Sequence, residues 1–87
     1  MTLHELKTWP EPFQAVWDGL KTFEFRLNDR GFGVGHGVLL REWDPVTKEY
    51  SGRSVFAVII YIIGGGQFGI PEGYCIMQLG TIRKIKE

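Results

Sequence analysis

Thr22-Phe23-Glu24-Phe25-Arg26-Leu27-Asn28 is the stretch whose reading decides the fold. Apolar residues at 23, 25 and 27 alternate with polar residues at 22, 24, 26 and 28. A period of two belongs to a half-buried strand, because successive side chains leave a pleated backbone on opposite faces. The pattern predicts that Phe23, Phe25 and Leu27 enter the core and that Glu24, Arg26 and Asn28 face away from it. Glu24 and Arg26 then share a face, about 7 Å apart along the strand. Lys21 stands just before them, so two cations and a carboxylate gather on one side.

Upstream the period is different. Phe13, Val16, Trp17 and Leu20 recur at i, i+3, i+4 and i+7, one apolar face of a helix. Trp9-Pro10-Glu11-Pro12 precedes them, and proline can open a helix but not continue inside one. Gly19 supplies a stop. The expected helix covers about residues 11–18, with Phe13, Val16 and Trp17 inward. Before it, residues 3–8 read as a short strand.

Downstream, Asn28-Asp29-Arg30-Gly31 is a turn signal. Glycines at 31, 33, 35 and 37 follow in a loop. No helix comes next, so the dinucleotide-binding fingerprint, which needs strand, glycine turn and helix, is excluded. Strands are expected at about 37–43, at 53–63 and at 74–79. A polar hairpin loop at 46–52 and a glycine loop from Gly64 separate them, and 81–86 is a last strand or a frayed edge. The second half of 53–63 is apolar on both faces. One face meets the interior; the other must be covered by the helix or by a partner subunit, which leaves a homodimer open. Five or six short strands with one helix indicate a mainly β fold, a small barrel that leaves few exposed edges.

The chain has 87 residues, so all of 1–87 is expected to form one domain. Hydrophobic residues make up 44% of it, enough for a dense core in a chain that buries little surface for its size. A single cysteine, Cys75, rules out an internal disulfide and favours a reducing compartment. It lies in an apolar run and reads as a small buried hydrophobe. The longest apolar run, Val55 to Ile63, is nine residues, about half of a membrane helix. With no secretory signal at the start, a cytoplasmic location without membrane contact is expected. Formal net charge is zero, which excludes a protein that coats nucleic acid non-specifically but leaves room for a compact site.

Chemistry then centres on Lys21, Glu24 and Arg26. A carboxylate can hold the guanidinium in place or accept a hydrogen bond from a base or an amide. The two cations suit phosphate or carbonyl oxygens. The bland alternative is a solvated strand face with a weak ion pair. Trp9 falls outside the helical pattern and is free to stack on a base or to cover the barrel end. Lys7 and Asn28 complete the expected ligand-binding set of Lys7, Trp9, Lys21, Glu24, Arg26 and Asn28. No cofactor is expected. His4 and His36 have no metal-ligand spacing to each other or to Cys75. Gly64-Gly65-Gly66 lacks the lysine of a phosphate-binding loop.

Gly19, Lys21, Glu24 and Arg26 match the G-x-K-x-x-E-x-R motif of the ASCH domains, a branch of the PUA-like barrels. The resemblance extends over most of the chain, through Glu42-Trp43-Asp44-Pro45, Tyr50-Ser51-Gly52-Arg53 and Gly73-Tyr74-Cys75-Ile76-Met77, toward short phage and bacterial proteins of unassigned activity. It implies a barrel whose motif lines a cleft beside the helix and binds RNA or a nucleotide. One ASCH branch deacylates acetylcytidine with a lysine at the position of Lys21. That branch carries threonine at the position of Glu24 and a further glutamate from a later segment, for which only Glu72 could substitute here. A nucleoside amidohydrolase using Lys21 and Glu24 is therefore the alternative, and a phage-encoded protein-interaction module the second one.

Overall fold

The computed structural model describes residues 1–86. Five strands and one helix follow in the order β1 (Leu3–Thr8), α1 (Pro10–Trp17), β2 (Phe23–Leu27), β3 (Gly37–Asp44), β4 (Glu49–Gly64) and β5 (Tyr74–Lys86). They form one sheet in the order β1-β3-β4-β5-β2. Only the β1–β3 pairing is parallel. The sheet curls into a half-barrel, so the fold is mainly β with a single short helix, as the alternating patterns imply. No helix among the described residues is long and apolar enough to cross a membrane.

The concave face carries the core. Leu6 of β1, Val38 and Leu40 of β3, Val55, Ala57 and Ile59 of β4, and Cys75, Met77 and Leu79 of β5 are buried there. Phe13 and Val16 of α1 fill the hollow from the helix side, with Trp17 packed against them. Full burial of an aliphatic or aromatic side chain of this size contributes roughly 1.5–3 kcal/mol. Burial pushes the Cys75 thiol up from its ordinary value, which keeps it protonated and inert.

The helix starts where proline allows it, with Pro10 at its first turn. It ends in a Schellman arrangement. Gly19 N–H donates to the Val16 carbonyl at 3.0 Å and Leu20 N–H donates to the Ala15 carbonyl at 2.9 Å. Gly19 takes a φ of 76°, a left-handed conformation that glycine adopts without a side-chain penalty. This reversal turns the chain from α1 into β2 and swings Leu20 out to solvent, away from the helical face its spacing suggested.

The facing of β2 is corrected. The alternation in β2 is present, but its sides are reversed. Glu24 is 3% exposed, whereas Phe23, Phe25 and Leu27 are 45%, 49% and 49% exposed. Hydrophobicity alone assigned the apolar set to the core. In the folded chain Glu24 turns inward with Lys21 and Arg26, its neighbours on the same side of the strand, which satisfy both carboxylate oxygens. On β4 the helix packs inside the curl and does not cover Ile60 and Tyr61, which are exposed in the single chain. The segment 81–86 is neither separate nor frayed. It continues β5 and pairs with Arg53 to Phe56 of β4, after a register shift at Gly80 to Arg83.

Candidate functional site: a cationic cleft between the two edge strands

β1 and β2 are the two edges of the sheet, and the curl brings them toward each other. Arg26 spans the gap. Its Nη2 donates to the Lys7 carbonyl at 3.0 Å and to Thr8 Oγ1 at 3.2 Å. Its Nε donates to Glu24 Oε2 at 2.9 Å. Side-chain bonds thus join two strands that have no backbone ladder between them.

Glu24 is held from both ends. Lys21 Nζ donates to Oε1 at 2.7 Å, and Arg26 takes Oε2. Lys21 also donates to the Phe23 carbonyl at 2.7 Å and lies over the Phe23 ring. An ammonium has three N–H donors, so one is left for a ligand. A buried carboxylate needs this compensation, because desolvating an unpaired charge costs several kcal/mol. The Schellman turn places Lys21 here, and the pleat of β2 puts Glu24 and Arg26 on the same side.

Beside this triad lies an open cleft of about 300 Å³. Lys7, Thr8, Trp9, Lys21, Glu24 and Arg26 line it together with Pro12 and Phe25. Trp9 is 60% exposed and sits at the junction of β1 and α1, where its carbonyl accepts from Phe13 N–H at 2.9 Å. Five of the six residues read from the sequence as a ligand-binding set therefore meet in one place. Asn28 does not line this cleft. Its Oδ1 accepts from Phe32 N–H at 3.0 Å, which shapes the loop after β2. Glu72 also lies elsewhere, with its carboxylate against Gly66.

Sequence reading missed a second buried carboxylate. Glu42 on β3 accepts from Ser51 Oγ at 2.6 Å and from Arg53 Nε and Nη2 at 3.0 and 3.1 Å. The Arg53 hydrogen bonds outweigh burial and hold the Glu42 carboxyl below its ordinary range. Arg53 reaches Gln14 Oε1 at 2.8 Å and lies over the Phe13 and Trp17 rings. No local signal marks this cluster, because its members come from three elements.

The two histidines, distant in sequence, also meet. His4 Nε2 and His36 Nδ1 are 3.0 Å apart, and Gly33 N–H points at the same Nδ1 at 3.1 Å. His36 Nδ1 is then the acceptor and His4 Nε2 carries a hydrogen. Burial, reinforced by His36 and Arg30, keeps His4 below the usual imidazole range. Among the described residues no group of three or more histidine, cysteine or acidic side chains could hold a metal ion.

A family model described as Domain of unknown function (DUF3850) matches residues 3–79, a span that contains the whole cleft. The chain is also similar to the "Uncharacterized 12.9 kDa protein in GpA 3'region" of Escherichia phage P2. The two are 39% identical over 57 residues, which is 66% of this chain and 50% of the phage protein. The chain thus spans about half the length of the curated relative it matches.

Proposed function

We propose that this chain, which belongs to the DUF3850 domain family, is a binding module for RNA or a nucleotide. The observation that carries the reading is the convergence of Lys7, Lys21 and Arg26 with the exposed Trp9 on one open cleft. Trp9 offers a π-face to a base, and such stacking contributes about 1–3 kcal/mol per base. Lys21 and Arg26 offer N–H donors to phosphate or base oxygens. Glu24 fixes both cations and so pre-organises the site, which lowers the entropy that a ligand would otherwise have to remove. The G-x-K-x-x-E-x-R motif supports a closer identification with the ASCH branch of the PUA-like barrels.

The test is a screen of nucleosides, nucleoside monophosphates and short RNA fragments by NMR. The expected result is perturbation of the Trp9 indole and of the Lys21 and Arg26 amides. A screen in which no nucleotide or RNA fragment moves these signals overturns the reading. Hits are then assayed for turnover, including release of acetate from acetylcytidine. Glu24 is the carboxylate in the cleft and is engaged by two cations, so binding without turnover is expected.

A further inference from the structure

The outward edge of β1 offers backbone carbonyls with no strand to receive them. Two arginines take them: Arg26 Nη2 at Lys7 O, and Arg30 Nη1 at Glu5 O, 2.7 Å away. Around this edge lies a second pocket of about 350 Å³, lined by Glu5, Lys7, Arg26, Arg30, Arg41 and Tyr50. Of the four cations there, Arg26 is already paired with Glu24, so Lys7, Arg30 and Arg41 face one carboxylate. That carboxylate, Glu5, is largely exposed, and Arg41 Nη1 stands 3.9 Å from it, beyond hydrogen-bond reach.

The donors in this pocket are poorly used. Arg41 stacks on Tyr50, with its guanidinium carbon 3.8 Å from the ring centroid, and makes no hydrogen bond among the described residues. Stacking fixes the guanidinium plane and leaves its N–H edges available. Arg30 engages one N–H, at the Glu5 carbonyl. Lys7 Nζ lies 4.4 Å from the Trp43 ring centroid and has no carboxylate partner among the described residues. Planar, oriented, unengaged donors beside a single exposed acid suit an oxyanion with several acceptor oxygens. This pocket shares Lys7 and Arg26 with the Trp9 cleft, so the two are neighbours.

We propose that the second pocket, through Arg30 and Arg41, binds a phosphodiester of a single-stranded nucleic acid, next to a nucleotide seated in the Trp9 cleft. The proposal rests on the reading of that cleft given above and deepens it: the ligand is a strand of two or more nucleotides. The neighbouring exposed indole favours nucleic acid over an acidic peptide, because every base has a face to stack and an acidic side chain has none.

The experiment titrates uridine monophosphate and tetrauridylate into the wild type and Arg41→Gln. Tetrauridylate should bind at least about tenfold more tightly than the monophosphate. Arg41→Gln should weaken tetrauridylate about tenfold, lower its salt slope by about 0.7, and leave the monophosphate unchanged. Tetrathymidylate, run alongside, separates RNA from DNA as the source of the phosphodiester. Arg30→Gln gives the same comparison should Arg41→Gln lose its fold. If uridine monophosphate perturbs Trp9 but tetrauridylate binds no tighter, or Arg41→Gln affects neither, this proposal falls and the binding module stands. If neither ligand binds, both readings fall. Binding of a decaglutamate peptide with the same Arg41→Gln loss, where tetrauridylate fails, overturns the proposal in favour of an acidic peptide.

Discussion

Two buried carboxylates, Glu24 and Glu42, accept from an arginine Nε at nearly the same distance, 2.9 and 3.0 Å, Glu42 taking Nη2 of its arginine as well and Glu24 taking Lys21 instead. Their surroundings differ. Arg53 engages Glu42 and Gln14 and lies over the rings of Phe13 and Trp17, so that cluster fastens α1 to the sheet. Arg26 and Lys21 face an open cleft with donors left over. Ion-pair distance alone therefore does not tell a cation that fastens the fold from one proposed to meet a ligand. What separates them is that Arg53 also grips α1, whereas Lys21 and Arg26 line a cleft with Lys7 and Trp9.

The largest effect that can break this comparison is on stability. Arg53→Ala should destabilise the protein by about 3 kcal/mol, because Glu42 is left buried without its cation and the helix loses its anchor. Arg26→Ala should cost less, about 1–2 kcal/mol, since Lys21 still holds Glu24. Urea unfolding of both variants measures the difference, and equal losses would mean that the two clusters do the same work.

Ligand affinity gives the next effect. Trp9→Ala should weaken uridine monophosphate binding by about tenfold or more, as loss of a stacking face requires. Its unfolding free energy should change by no more than about 0.5 kcal/mol, the usual range for an exposed side chain. A Trp9→Ala variant that binds normally but unfolds easily would make Trp9 a cover for the barrel end.

Lys21→Arg should have a smaller consequence. As a contact to phosphate, the position needs a positive charge, so affinity should stay within about threefold of the wild type and fall as salt rises. An amine acting as base or nucleophile cannot be replaced by arginine at neutral pH. Acetylcytidine turnover by the wild type that vanishes in Lys21→Arg would reverse the assignment and make the protein an enzyme.

The smallest effect concerns pH, because burial opposes the arginine in setting the Glu42 carboxyl. Its folded value lies below the unfolded one, so the unfolded chain binds more protons across that window. The stabilisation is complete above the unfolded value and is lost as pH falls through the folded value. Arg53→Ala should flatten this acid-side decline in thermal midpoint. A wild-type slope retained in the variant would place the acid sensitivity elsewhere.

The elements were legible because local periodicity is a local property. The i, i+3, i+4 spacing of Phe13, Val16 and Trp17 gave α1, Gly19 gave its end, and the alternation from Thr22 gave β2. The shared side of Glu24 and Arg26 followed from the pleat, and Lys21 from its place at the helix exit. Tertiary structure decided which side of β2 faces inward, because Arg26 on the polar side bonds across the curl to Lys7 and Thr8 of β1, a contact that the hydrophobicity of Phe23, Phe25 and Leu27 does not report. It likewise decided that Lys7 and Trp9 join Arg26 while Asn28 turns into a loop, since β1 and β2 are opposite edges of a sheet and only its curl brings them together. Glu42 with Arg53, and His4 with His36, depend on the same long-range pairing, for which residues far apart in the chain carry no periodic signal.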